Sequence, residues 1–303
     1  MAEIIDGKKL ANKLTKAMMQ ETEYLKKKYS TTPGLAVIIL GNDPASQIYV
    51  NSKSKKAQQL GFLSIQKNLP ENTSQAELVS LIKQLNNDPN IHGILVQLPL
   101  PKHIDPNIII QTINADKDVD AFNNINVGKY VTNDNSGFIP CTPAGILLMI
   151  QQILGDNLAG YNALVVGRSN IVGKPMANLL INHNATVTIA HRYTKNLPDL
   201  CKTADILIVA VGKAHLIKAN WVKENSIVID VGINRINENG ISKLVGDVDF
   251  NNVKQVAKAI TPVPGGVGPM TIAMLMANTL NSTRLSLSLD KIDWQKQLNL
   301  NSI

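Results

Sequence analysis

Two cysteines, Cys141 and Cys201, are all that 303 residues contain. That number excludes a disulfide framework, and their spacing offers no zinc pattern, so each reads as a small buried residue and no metal is expected. Long apolar runs are missing as well. The stretches at 145–150 and 206–211 are far too short to cross a bilayer, and Met1–Asp6 lacks the basic-then-apolar order of a secretory signal. A cytoplasmic protein without membrane attachment is expected. Charged residues make up only 17% against 44% apolar, which excludes a disordered chain and allows two ordinary domains. The net charge of +7 is dispersed, and its one run, Lys26–Lys28, reads as a solvated helix face. With no arginine-rich or aromatic-rich patch beside that run, nucleic acid has no footprint here, whereas a positive field suits small anions.

What is present is an alternation of short β-rich runs with helix-like stretches, the mark of βα units. In the first half, strands are expected at 35–40, near 62–69 and at 93–98, with helices at 45–60, 74–86 and 106–113. In the second half, strands are expected at 163–166, 186–190, 206–211, 226–231 and 259–260. Continuous Val, Ile and Leu in these runs imply parallel sheets covered on both faces, and the order in the second half is that of a doubly wound sheet. The polar, Asn-rich stretch 123–140 reads as a linker, with Thr142 and Pro143 opening a helix as N-cap and N1. The tail from Leu280 is expected to pack as a helix or two.

Ala163–Pro175 reads as a buried strand, a turn bounded by Gly167 and Gly173, and the first turn of a helix. A helix N-terminus with glycine before it is a phosphate-binding geometry. The copy is irregular, because Ser169 stands at the second glycine position and Gly173 comes one place late, so a strand–turn–helix with no cofactor fits it equally. The second strand ends in His191-Arg192 with no acid for a ribose 2′-hydroxyl. Arg168 and Arg192 favour the 2′-phosphate of NADP over NAD, unless they are ordinary solvated arginines.

Residues just past strand ends are where open α/β sheets bind ligands, and four further clusters qualify. Tyr49 and Lys53 share one helical face: a phenol can stack on a flat heterocycle, and a lysine screened from water can transfer protons. The same spacing also suits a solvated helix. Gln97, in Val96–Pro101, brings an amide that donates and accepts without titrating. The acids of 116–120 suit either the N–H donors of a ligand or plain solvent. Thr261–Thr271 holds three glycines and three prolines, so it must be a tightly shaped loop that brings backbone close to a ligand or turns between domains.

Together these clusters resemble one family. Y-V-x-x-K at 49–53, V-Q-L-P-L-P at 96–101, K-D-V-D at 117–120, C-T-P at 141–143, G-R-S-x-I-V-G-x-P at 167–175 and P-G-G-V-G-P-M-T at 264–271 look like the bifunctional methylenetetrahydrofolate dehydrogenase/methenyltetrahydrofolate cyclohydrolase. The match spans nearly the whole chain in the family's order. It implies two α/β domains around a cleft, the second a Rossmann-like doubly wound parallel sheet: residues 1–140 plus 268–303 for folate and catalysis, 141–267 for NADP. It implies oxidation of 5,10-methylenetetrahydrofolate with NADP, then opening of the methenyl product by water to 10-formyltetrahydrofolate.

By position, the resemblance makes Lys53 the proton-transfer residue, Gln97 its orienting partner, Tyr49 the stacking ring and Asp120 the holder of the pterin. Val50, Asn51, Ser52, Val96 and Leu98 then lie in the substrate site, and Pro264, Gly265, Gly266, Val267 and Gly268 line it. Gly167, Arg168, Ser169, Arg192 and Ile233 contact NADP. The resemblance also implies a homodimer acting on tetrahydrofolates, polyglutamylated forms included, in purine biosynthesis. One departure stands out: after K-D-V-D the family carries Gly, and this chain carries Ala121, which resists a positive φ.

Chain order excludes a short-chain dehydrogenase, whose nucleotide turn precedes its Tyr/Lys pair. A non-catalytic folate- or nucleotide-binding protein would be expected to have lost Lys53, Gln97 or Asp120, and all three remain.

Overall fold

The computed structural model describes residues 1–238 and 240–298. β1 (Glu3–Ile4) and α1 (Gly7–Tyr29) open the chain. Then come β2 (Gly34–Leu40), α2 (Pro44–Gln59), β3 (Leu63–Leu69), α3 (Gln75–Asn87) and β4 (Gly93–Val96). Three helices follow, α4 (Pro106–Thr112), α5 (Asn124–Val131) and α6 (Cys141–Leu154). Alternation resumes with β5 (Asn162–Val166), α7 (Gly173–Asn182), β6 (Thr186–Ala190), α8 (Leu197–Cys201), β7 (Ile206–Val209) and β8 (Ile227–Asp230). β9 (Asn234–Glu238) and β10 (Ile241–Val245) pair antiparallel; α9 (Phe250–Val253), β11 (Ala259–Ile260), α10 (Val267–Ser286) and α11 (Trp294–Gln297) complete the order.

Two compact units result. One holds Met1–Asn12 and Thr142–Thr271, the other Lys13–Cys141 and Ile272–Leu298. Residues 1–12 belong with the first of these because β1 adds parallel to β11, Glu3 opposite Ala259. The sequence, which groups them with 13–140, does not foresee that placement.

The first unit is built on a six-stranded sheet in the order β1-β11-β8-β7-β5-β6, parallel throughout. After β5 the chain goes to one neighbour, β6, then returns to the other side as β7. The crevice at that reversal, between the ends of β5 and β7, is where doubly wound sheets bind ligands. Leu164, Val166, Leu207, Val209, Val228 and Ile260 pack on one face, and Val165, Ile206, Ile208, Ile227 and Ile229 are buried on the other. Alternate side chains of a strand point to opposite faces, so an unbroken aliphatic run is what a sheet covered on both sides requires.

The second unit carries a three-stranded parallel sheet, β3-β2-β4. Ala36, Ile38, Ile94 and Val96 pack there with Leu78, Ile82 and Leu85 of α3 and Ile109 of α4. α3 begins with a capping box: Ser74 Oγ accepts from Glu77 N, and Glu77 Oε2 accepts from Ser74 N.

The stretch expected as a linker is structured. Asn123 caps α5 by accepting from Ile125 N, and the buried Asn126 donates to Ala115 O and Asp118 Oδ2 and accepts from Phe138 N. Its polar side chains satisfy buried backbone, so composition that looks like a solvated linker belongs to a packed turn-and-helix. Nor is Thr142 an N-cap: α6 already starts at Cys141, and Thr142 Oγ1 meets Thr271 Oγ1 at 2.9 Å. The tail expected from Leu280 is the end of α10 followed by α11. No helix among the described residues is long and apolar enough to span a membrane.

Candidate active site

In the three-stranded unit, Asp43 caps α2 by accepting from Ser46 N, with Pro44 at the first helical position, and the helix carries Tyr49 and Lys53 one turn apart. β4 delivers Gln97 at its end, fixed by its own N–H to Ile38 O at 2.8 Å. Lys53 Nζ donates to Gln97 Oε1 at 3.0 Å, while Gln97 Nε2 donates to Leu98 O at 2.8 Å. The second bond decides the first, because an amide whose nitrogen is occupied by a carbonyl must turn its oxygen toward the lysine. Tyr49 leaves 39% of its surface exposed, and burial of the rest raises its hydroxyl pKa.

Asp120 completes the group. Burial pushes its carboxyl up, and the positive charge of Lys53 pulls it back down. Its loop is held from three sides. Cys141 Sγ donates to Val119 O at 3.2 Å and approaches Asp120 Oδ1 at 3.7 Å, and Asn278 Nδ2 donates to Val119 O at 2.8 Å and Ile139 O at 3.0 Å. Burial, then the Asp120 charge, raises the Cys141 thiol well above its ordinary pKa, so it stays a neutral donor. Asp118 closes the turn by accepting from Asn123 N and Asn126 Nδ2; burial pushes this carboxyl up to about 6. Ala121 stands at φ 60°, the left-handed conformation that alanine resists at roughly 1–2 kcal/mol. The loop therefore holds alanine in a conformation that a glycine would take without strain.

Of the other residues expected at the substrate, Val50 and Val96 are buried in the core, Asn51 is exposed, and Ser52 Oγ donates back to Ile48 O. Pro264–Gly268 lies in the six-stranded unit. Its backbone does approach another backbone closely: Lys8 N donates to Gly265 O, and a Cβ on Gly7 would sit 1.9 Å from Gly266 O.

The same unit holds the irregular glycine turn, at the end of β5. Gly167 has φ 129°, and a Cβ there would lie 2.3 Å from Ala210 O beyond β7; a Cβ on Gly173 would lie 2.2 Å from Gly167 O. Both glycines are thus required by close approach, at the point where strand order reverses. Ser169, the apparent fault, braces the turn: its Oγ accepts from Val172 N at 3.1 Å and Gly173 N at 3.4 Å just ahead of and at the start of α7. Arg168 and Arg192 are exposed beyond β5 and β6, and Ile233 is exposed beyond β8. A turn no side chain could enter, with two arginines at its rim, fits a dinucleotide carrying a 2′-phosphate.

Two buried acids that sequence reading passed over brace these strand ends. Asp247 accepts from Val211 N, Gly212 N, Lys213 N and Asn234 Nδ2 at 2.7–2.9 Å. Asp230 accepts from Gly232 N, Asp247 N and Val248 N; burial, reinforced by the Asp247 charge, pushes it up to about 7 against those bonds. The only local signal was a pair of glycines: a Cβ on Gly232 or Gly246 would strike these carboxylates.

A doubly wound sheet with this turn, in a chain that also gathers an amine, an amide and a carboxylate on a second α/β unit, defines a nicotinamide-nucleotide-dependent enzyme. Comparison with known proteins narrows the class. A model of the tetrahydrofolate dehydrogenase/cyclohydrolase catalytic domain matches residues 5–120, and one of that family's NAD(P)-binding domain matches residues 140–287. The bifunctional protein FolD of Brucella anthropi is 60% identical, over 93% of this chain and 96% of its own. A bifunctional FolD methylenetetrahydrofolate dehydrogenase/cyclohydrolase from Campylobacter jejuni superposes with a TM-score of 0.91 at 47% identity, covering 94% of this chain and 99% of that one. The Trypanosoma brucei FolD, solved with NADP and an inhibitor, gives 0.90 at 36% identity, over 94% and 98%. The chain belongs to the tetrahydrofolate dehydrogenase/cyclohydrolase family.

Proposed function

We propose that this protein oxidises 5,10-methylenetetrahydrofolate with NADP and hydrolyses the methenyl product to 10-formyltetrahydrofolate. The observation that carries the reading is the Lys53 Nζ–Gln97 Oε1 bond beside a carboxylate, Asp120, whose charge Lys53 stabilises. Lys53 Nζ moves the proton when water opens the methenyl group, and Gln97 fixes where that nitrogen points. Asp120 accepts N–H donors of the pterin, and Tyr49 stacks on it with its exposed ring. Val50, Asn51, Ser52, Val96 and Leu98 frame these groups.

NADP, when bound, takes the hydride. Gly167, Ser169 and the α7 N-terminus would hold its pyrophosphate, Arg168 and Arg192 would hold its 2′-phosphate, and Ile233 would contact the nucleotide. The matched family models, catalytic over 5–120 and NAD(P)-binding over 140–287, support a division of labour in which the first part of the chain takes the folate and the second the nucleotide. On the same reading the enzyme is a cytoplasmic homodimer that takes polyglutamylated folates and supplies purine biosynthesis; sedimentation of the purified protein tests the dimer.

The deciding experiment follows NADPH formation and the methenyl chromophore from methylenetetrahydrofolate with NADP and with NAD, on the natural protein and Lys53→Met. NADP should support turnover, and the variant should lose methenyl hydrolysis. Absence of NADP-dependent oxidation, or hydrolysis untouched by the substitution, overturns the reading.

A further inference from the structure

We propose that Tyr193 is the residue that sets the preference for NADP over NAD, by gathering Arg168 and Arg192 on its ring into one doubly charged seat for the 2′-phosphate. The proposal rests on the reading of those arginines as cofactor contacts. β5 and β6 are neighbours, and Arg168 and Arg192 each stand two residues beyond a strand end. The Arg192 guanidinium carbon lies 4.6 Å from the Tyr193 ring centroid and that of Arg168 5.8 Å, both within cation–π range. Arg192 Nη2 also donates to the Tyr193 hydroxyl.

Like charges do not gather unaided. Among the described residues no carboxylate comes within 4 Å of either guanidinium, so neither charge is neutralised. An aromatic face attracts two cations without cancelling them, which an acid would do. The hydroxyl takes one of the five N–H donors of Arg192 and leaves the fork free for a phosphate. Nor does core packing explain the ring, since Tyr193 is 64% exposed. A small turn holds it in place: Tyr193 N donates to His191 Nδ1 at 3.3 Å, and the His191 ring meets it edge-on with centroids 6.0 Å apart. Thr194 closes that turn, its N donating to His191 O and its Oγ1 accepting from His191 N.

The test measures kcat and KM for NADP and NAD in methylenetetrahydrofolate oxidation for Tyr193→Phe, Tyr193→Ala, Arg168→Ala and Arg192→Ala, with unfolding followed by tryptophan fluorescence to confirm folding. Tyr193→Phe keeps the face and loses the hydroxyl, so KM for NADP should rise about threefold; Tyr193→Ala should raise it about tenfold. KM for NAD should hold, so the preference falls by the same factors, and kcat should move little. If the arginine variants lower the preference and Tyr193→Ala does not, the proposal is overturned while the arginine reading stands. If neither arginine variant lowers it, the reading of the seat itself fails.

Discussion

Asp247 lies at the centre of the nucleotide unit's loops, and Asp247→Asn measures what it holds. Its Oδ2 accepts from Val211 N and Gly212 N, and its Oδ1 from Lys213 N and Asn234 Nδ2, with the residue fully buried. An asparagine offers one oxygen and one NH2, so whichever way it turns, two donors face a donor. Two charge-assisted bonds at about 1.5–3 kcal/mol each are lost, and removing a buried charge recovers part of that, leaving a net loss of about 2–3 kcal/mol. For a unit of this size that lowers the unfolding midpoint by roughly 8 °C without unfolding it at working temperature. The two tryptophans make the unit observable: Trp221 lies in it, whereas Trp294 lies in the other. In a Trp294→Phe background, the Trp221 transition should fall by that amount and KM for NADP should rise, while methenyl hydrolysis persists. An unchanged midpoint together with an unchanged KM for NADP would refute the bracing argument.

Two further outcomes follow from the same geometry. Gly173→Ala places a methyl 2.2 Å from Gly167 O, so the turn must open; NADP binding, measured by titration, should weaken at least about tenfold while hydrolysis continues. His92 is buried, its Nδ1 accepts from Gly34 N, and burial, with help from Lys117, lowers its pKa from 6.5 to about 4. The unfolded chain then binds a proton first as pH falls. Its contribution is therefore whole above pH 6.5 and lost progressively toward pH 4, while Asp118, protonating first in the folded unit, pulls the other way; the difference in unfolding midpoint between the natural protein and His92→Asn should accordingly shrink across that window.

Local patterning is what made most of the fold legible. Aliphatic runs such as Ile206–Val209 sit where the sequence puts them, and Gly167, Gly173, Tyr49 and Lys53 stand at strand ends or on a helix face because spacing fixes such positions. The stretch 123–140 was misread since Asn looks the same whether it faces water or binds a buried carbonyl, as Asn126 does. Ala121 was legible as a departure, but its φ of 60° was not, because that conformation is imposed by Asp118 and the packed loop.

The sequence by itself determined the order of the βα units, the glycine turn, the pairing of arginines with a missing acid and membership of the family. Each of these depends on residues within a few positions of one another, or on their order along the chain. Only the tertiary structure decided that Asn278 and Cys141 hold the loop of Asp120, that Asp247 braces the loop after β7, and that Tyr193 joins two arginines from different strands. Apart from Arg192 and its neighbour Tyr193, those contacts join residues distant in sequence, and a hydrogen bond or ring contact exists only once packing has brought its two ends together.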